Sequence, residues 1–295
     1  MTGIVEGRVA IVTGAGQGLG RAHAHALAEH GAHVIVNDIG EAAAAVAAEI
    51  SERGLSAVAC TADVSDWDDA ERLVATAIER FGKLDVLVNN AGIVRDRMLV
   101  SMTEAEWDAI ARVNLKGHFC PLRHAAAHWR QRSRDGHEVT ARIINTSSGA
   151  GLLGSVGQGN YSAAKAGVAA LTLVAATELG RYGITVNALA PAARTPMTEA
   201  VFVEMMRAPE RGFDAMDPAN VSPLVVWLAS ELSGEVSGRI FEVEAGIIGI
   251  ADGWQHGPRR DKCARWEPEE LTAVIGELIE EAPVPAPVYG SGANG

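Results

Sequence analysis

Cysteine is scarce. Cys60, Cys120 and Cys263 are the three in 295 residues, far apart and without a C-x-x-C pair. That spacing offers no disulfide framework and points to a reducing compartment, with the cytoplasm as the expected location. Cations are in the minority, 25 Lys and Arg against 37 Asp and Glu, for a formal net charge of −12. With no basic excess to neutralise phosphates, a nucleic-acid partner is not expected, although a local basic patch could still meet an acidic small molecule. No uncharged apolar run reaches the ~20 residues of a membrane span, so none is expected. The opening "MTGIVEGRVAIVTGAG" lacks the basic segment and long apolar run of a signal peptide. What remains, 48% hydrophobic and 21% charged, is the composition of a soluble globule with an ample core.

Short β-branched runs alternate with helical patterns. "RVAIVT" (8–13), "HVIVND" (33–38), "SAVAC" (56–60), "DVLVNN" (85–90), "RIINTS" (142–147), "GITVNAL" (183–189) and "RIFEVE" (239–244) read as buried strands. Between them, "EAAAAVAAEISER" is an Ala-driven helix. "SDWDDAERLVATAIERFG" is expected to start on a Ser65 cap and end at Gly82. "TEAEWDAI" carries Thr103 and Glu106 at capping-box spacing. Such alternation predicts a doubly wound parallel sheet with helices on both faces. The composition changes after Gly253, where a short helical pattern, "EPEELTAVIGELIEE", leads to a Pro/Gly/Ser ending expected to be extended or disordered. The expected organisation is one domain over 1–253 and a C-terminal extension over 254–295.

"VTGAGQGLGRA" follows the first strand and opens a helix. Gly14, Gly16, Gly18 and Gly20 let the backbone turn tightly and approach a pyrophosphate, which a helix N-terminus favours. The strict G-x-G-x-x-G spacing fails, so a plain glycine turn or a methyl-donor enzyme's nucleotide loop is open on this loop alone. Asp38, at the end of the second strand, suits an acid that bonds the adenosine ribose. Its carboxylate would repel a 2′-phosphate, and neither Gln17 nor Ile39 offers a compensating cation, so NAD is expected over NADP. Further along, "SGAGLLGSVGQGNYSAAK" runs from Ser148 to Lys165. Tyr161 and Lys165 are i, i+4 neighbours on a helix: a decorated surface face, or a device for moving a proton.

Together these motifs resemble the short-chain dehydrogenase/reductase family over about residues 6–250. The family's T-G-x-x-x-G-x-G is Thr13 to Gly20, its Asp-Val is Asp63-Val64, its N-N-A-G is Asn89 to Gly92, its catalytic Asn is Asn114, its Ser is Ser148, and its Tyr-x-x-x-Lys is Tyr161 to Lys165. The resemblance implies a seven-stranded Rossmann-type parallel sheet, NAD, a homotetramer or homodimer, and hydride exchange between a secondary alcohol or ketone and nicotinamide. It implies Asn114, Ser148, Tyr161 and Lys165 as catalytic residues. Cofactor contacts would come from Gly14, Gln17, Gly18, Leu19, Gly20, Asp38, Ile39, Asp63, Val64, Asn90, Ala91, Gly92, Tyr161, Lys165, Pro191 and Thr195. A free tyrosine titrates near ~10, and a cation one turn away together with an oxidised nicotinamide ring is expected to draw Tyr161 down toward a working base. Ser148 would orient the substrate oxygen, Lys165 would hold the nicotinamide ribose, and Asn114 would anchor a water of the proton path.

"NNAGIVRDRML", "APAARTPMTEAV", "PANVSPLVVWLASE" and "IFEVEAGIIG" further resemble the (3R)-hydroxyacyl-CoA dehydrogenase unit of peroxisomal multifunctional enzymes of type 2. Pro191-Ala192 departs from the family's Pro-Gly, and Thr195 follows Pro191 by one residue fewer than usual. The segment around 192–217 is expected to be a lid, with Met197, Phe202, Met205, Met206, Phe213 and Met216 suited to an acyl chain or a sterol, or to ordinary packing. The small-molecule substrate is therefore expected to be an acyl-CoA, with a hydroxysteroid or another secondary alcohol as the alternative. A non-catalytic NAD-binding scaffold is the rival from another class. His124 and His128 have the spacing of metal ligands without the rest of such a site, so a surface pair and no metal are expected. His23, His25, His30 and His33 are expected to be solvated, as is the basic run 130–142, which otherwise could meet a CoA phosphate.

Overall fold

The computed structural model describes residues 3–199, 204, 206–251 and 253–291. Strands β1 (Val9–Val12), β2 (His33–Asp38), β3 (Ala57–Thr61), β4 (Val86–Asn89), β5 (Ala141–Thr146), β6 (Ile184–Ala192) and β7 (Ile240–Glu244) fall on the β-branched runs. They lie in the order β3-β2-β1-β4-β5-β6-β7, parallel throughout. The order doubles back at β1 and β4, and parallel crossovers place helices on both faces. The expected seven strands become eight. After a turn with Ala245 at φ 51°, β8 (Ile247–Ala251) returns antiparallel along β7. It was hidden because the turn, Ala245-Gly246, lacks the Asn-Gly or Asp-Gly signature of a tight hairpin.

Side-chain alternation divides the core. Ala10, Val12, Val34 and Val36 face α1 (Gly18–Glu29), α2 (Ala42–Glu52) and α9 (Ser222–Ala229). Val9, Ile11, Ile35 and Leu87 face α3 (Trp67–Phe81), α5 (Gly117–Arg134) and α7 (Gly159–Leu179). A strand buried on both sides reads as a continuous apolar run, which is why these strands were legible. The remaining helices are α4 (Glu104–Ile110), α6 (Gly149–Leu153), α8 (Pro196–Glu199) and α10 (Leu271–Glu281).

The Thr103–Glu106 capping box at α4 and the Gly82 stop of α3 are as expected. The start of α3 is not. Asp66, not Ser65, is the cap, and it accepts from the amides of Asp68 and Asp69. Ser65 is buried and bonds Asp63 instead. The histidines also need correction. His23 is fully buried, its Nδ1 2.9 Å from the Ser222 hydroxyl, and burial drives its pKa down to about 3, so it is a neutral link between α1 and α9. His25 is partly buried against Glu49. His124 is buried edge-on to Trp67, and His128 is partly buried, so the two are not a surface pair. Within the basic run, Arg142 is buried and donates to the Ser230 carbonyl.

One helix, Gly159–Tyr182, is long and apolar enough by composition to cross a membrane. It packs one face on β5 and β6, burying Asn160, Lys165 and Thr172, and leaves Leu173 and Val174 exposed on the other. In the segment expected as a lid, Met206 is buried, Phe213 is exposed, and Arg194 holds the Asp214 carboxylate and the Met206 carbonyl. Phe202 and Met205 lie outside the described residues. The described part of the ending, 282–291, is free of helix and lies against the body, where Tyr289 bridges to Ser155.

Candidate active site

The candidate residues gather at the carboxyl ends of β1, β4, β5 and β6, where a doubly wound sheet opens toward a ligand. Gly14 and Gly18 have φ of +60° and +54°, which L side chains rarely adopt. A Cβ at Gly20 would lie 2.2 Å from the Gly14 carbonyl oxygen, and one at Gly14 would lie 2.7 Å from the Ala91 Cα. The loop is therefore pressed onto the chain after β4 and leaves room only for backbone. Gln17 precedes α1 without capping it, and the first turn holds no acid. The free amides there suit an anion. Leu19 points inward and packs on the core.

Asp38 is fixed against this loop. One carboxylate oxygen accepts from the Gly16 amide at 3.0 Å and the other from the Ile39 amide at 2.8 Å. The residue is half-buried and the adjacent Ile39 side chain is exposed, an acid beside an apolar shelf. That pairing fits a ribose hydroxyl with a base lying on the isoleucine. On the other side of the loop, Thr195 and Pro196 approach Gly18, 3.5 and 3.7 Å from where a Cβ would be. The residues present thus fit a dinucleotide.

Asn90 acts chiefly on the protein. Its Nδ2 donates to the Thr13 and Gly14 carbonyls, while the Thr13 hydroxyl accepts from the amides of Asn90 and Ala91. Thr13 is thus a stiffening residue behind the loop. The Asp63 carboxylate accepts from Ser65 and, at 2.8 Å, from Arg112, and Val64 is buried against Gly117. Both are thus engaged with the protein itself. Pro191 sits in β6 opposite Val243.

The helix that starts at α4 is interrupted at 111–116 by a π turn that contains Asn114. Such turns widen the helix and break its regular bonding, often at functional sites. The buried carboxamide clamps Ile93, accepting from its amide at 2.8 Å and donating to its carbonyl at 2.9 Å. A Cβ at Gly92 would lie 3.5 Å from Asn114 Oδ1 and 3.7 Å from Lys165 Nζ, so Gly92 keeps the space between them open.

Ser148 caps α6, and its Oγ accepts from the Ala150 amide at 3.2 Å, which leaves its hydrogen free to donate. Asn160, buried, donates to the Arg95 and Glu106 carbonyls and accepts from the Tyr161 amide, which fixes the start of α7. Lys165 is buried, 5.8 Å from the Tyr161 ring centroid, and donates to the Thr146 carbonyl at 2.6 Å. Burial lowers its pKa to about 7. The Tyr161 phenol is raised by burial, opposed by a hydrogen bond from Ser148. The expected downward pull of Lys165 on the phenol is not found in the protein alone, where desolvation raises its pKa and Asp96 adds to that. His118, fully buried, is also pushed well down, by desolvation and then by Lys165, and stays neutral. Sequence reasoning missed Thr13, Arg112, His118 and Asn160. The one available signal was His118 and Asn160 lying beside motif residues.

A family model described as short chain dehydrogenase matches residues 8–205. The hydroxyacyl-CoA dehydrogenase ChsB1 of Mycobacterium tuberculosis is 46% identical over 93% of this chain and 89% of its own length. Peroxisomal multifunctional enzyme type 2 of Mus musculus is 45% identical over 83% of this chain, which spans only 32% of that enzyme. The crystal structure of a short chain dehydrogenase from Mycobacterium avium superposes with a TM-score of 0.92 at 59% identity, covering 98% of this chain and all of that one.

Proposed function

The chain belongs to the short chain dehydrogenase family, oxidoreductases of CH–OH groups, and we propose that it is an NAD-dependent 3-hydroxyacyl-CoA dehydrogenase. The observation that carries the chemistry is the cluster in which the buried Lys165 and the buried Asn114 clamp stand behind the partly exposed Tyr161 and Ser148. NAD rather than NADP is supported by Asp38, held against the glycine loop by the Gly16 amide, where its carboxylate would repel a 2′-phosphate. The acyl-CoA substrate is supported by the identities to ChsB1 and to the multifunctional enzyme.

A bound nicotinamide supplies the hydride acceptor. In alcohol oxidation Ser148 donates to the substrate oxygen and Tyr161 takes its proton; in ketone reduction Tyr161 returns it. Because burial keeps the phenol protonated, Tyr161 rests as the acid, and oxidation quickens as pH rises. Lys165 stands behind the phenol with a pKa of about 7, able to pass a proton inward or outward near neutrality. Asn114 and Asn160 position these groups through Ile93 and the Tyr161 amide. In this reading residues 1–253 are the catalytic domain with its lid at 192–217, and 254–295 are an extension. The exposed Ile247, Ile248 and Ile250 on the edge strand β8 support self-association as a homotetramer or homodimer. Free Cys60, Cys120 and Cys263 support a cytoplasmic setting.

The test is absorbance at 340 nm with NAD and then NADP, against short and long 3-hydroxyacyl-CoA esters and a hydroxysteroid. Acyl-CoA turnover with NAD, lost in Tyr161→Phe, is the expected result. Turnover of the steroid alone keeps the mechanism and removes the substrate. Light scattering reads the oligomer.

A further inference from the structure

The chain joining Ser148 to Tyr161, residues 149–160, runs beside the two side chains that would meet the substrate oxygen, and so borders the entrance in the dehydrogenase reading. The segment 282–291 is laid on that stretch. The Val156 amide donates to the Tyr289 carbonyl at 2.9 Å, and the Tyr289 amide donates to the Gly154 carbonyl at 3.1 Å. The segment approaches as "APVPAP", whose prolines favour an extended, pre-ordered backbone. It closes in a turn in which Gly290 has φ +80° and Ser291 donates back to the Val288 carbonyl. Between approach and turn, the Tyr289 ring lies over Gly149, the residue that follows Ser148. A Cβ at Gly149 would meet the Tyr289 hydroxyl at 2.9 Å and the ring carbons Cε2 and Cζ at 3.0 and 3.2 Å. A Cβ at Gly154 would likewise touch Val288 at 3.4 Å. The glycine at 149 is therefore what lets the ring lie flush, while at 154 it is the φ of +83° that calls for glycine.

The ring is half in solvent, 47% exposed, and has Leu153 and Val156 as apolar, exposed neighbours in the loop it covers. An aromatic face held by two backbone bonds next to Ser148 can serve as a wall. We propose that Tyr289 is a specificity-determining residue: carried by the strap 282–291, it walls one side of the entrance beside Ser148 and limits the bulk of substrate admitted next to the reacting carbon. The inference rests on the dehydrogenase reading of the same site.

The experiment compares kcat/KM for a four-carbon and a ring-bearing 3-hydroxyacyl-CoA in the wild-type protein, Tyr289→Ala, Tyr289→Phe and a chain ending at Ala282. The ratio of bulky to short substrate should rise roughly tenfold in Tyr289→Ala and in the shortened chain, the scale at which a pocket wall discriminates. Tyr289→Phe, which keeps the ring, should retain the wild-type ratio. An unchanged ratio in both Tyr289→Ala and the shortened chain, with wild-type cofactor affinity and thermal midpoint, overturns the proposal. So does a Phe variant that behaves like Ala. If the wild-type protein turns over secondary alcohols and no acyl-CoA, the substrate reading falls, and the same ratio measured on a compact and a ring-bearing secondary alcohol still decides the role of Tyr289.

Discussion

The glycine-loop side of the site, proposed as its cofactor floor, and the segments 192–217 and 282–291, proposed as its substrate roof, are held in different ways. The floor, built on β1, β2, β4 and β5, is fixed by a chain of hydrogen bonds between buried polar side chains and the backbone. Thr13 holds Asn90, Asn114 holds Ile93, Asn89 holds Asn145, and Asn145 holds Thr172. Among the described residues, the ties of 192–217 and of the strap 282–291 are mostly local or exposed: Thr198 with Thr195 and Ala193, Arg194 with Asp214 and Met206, and the bridge at Tyr289. The roof's apolar side chains include the exposed Phe213 and Val284. A floor that must present one geometry to every turnover needs low-tolerance contacts, whereas a roof that must admit and release a long substrate needs contacts that part at small cost.

Breaking the floor should cost far more than breaking the roof. Tyr161→Phe should lower kcat by about 10²–10⁴-fold with cofactor affinity kept, read in stopped-flow single turnovers. Gly20→Ala, whose Cβ would fall 2.2 Å from the Gly14 carbonyl oxygen, should abolish cofactor binding and lower stability by about 1–3 kcal/mol, measured by calorimetry and urea unfolding. Asp38→Ala should weaken NAD about 10-fold or more and narrow its margin over NADP, because a hydrogen bond to a charged group is worth about 1.5–3 kcal/mol. Arg194→Ala, in the roof, should raise KM only a few-fold, roughly what a partly exposed ion pair contributes, and leave the cofactor Kd alone. A larger effect at Arg194 than at Asp38 would reverse the comparison.

Lys165 sharpens it by pH. Its folded pKa of about 7 lies below its ordinary value of 10.5, so between the two the unfolded chain binds a proton that the folded chain does not. Stability from this group therefore increases as pH rises from about 7 toward 10.5, and is lost as pH falls through 7. Lys165→Met should flatten that part of the urea-midpoint profile relative to wild type. A parallel profile in the variant would place the cost of burial elsewhere.

The parts of this contrast that were legible in the sequence belong mostly to the floor. Strands buried on both faces announce themselves as β-branched runs, and a backbone that must touch a phosphate or cross its own carbonyl demands glycine, so β1 to β7 and the Gly14–Gly20 loop could be read directly. Asp66 and Ser65 are both good caps, and only the backbone dihedrals choose between them. His23 was misread because histidine is usually wet, although its place between Gly20 and Leu27 on the inward face of α1 was a usable warning. Strand β8 and the docking of Tyr289 were illegible for a shared reason. Each depends on a partner distant or unsigned in sequence, the first across a turn without a signature and the second across more than a hundred residues from Gly154.

The bridge at Tyr289 makes the segment from β8 to the entrance a closed loop. The entropy of closing such a loop grows with the logarithm of its length, so doubling it would cost only about 0.6 kcal/mol. The stretch carrying α10 can thus vary or grow at little thermodynamic cost, while the short anchor around Tyr289 cannot. Because the anchor is tethered, its local concentration at the entrance is set by chain geometry and not by how much protein is present. Its occupancy is the same in a dilute assay as in a crowded cell.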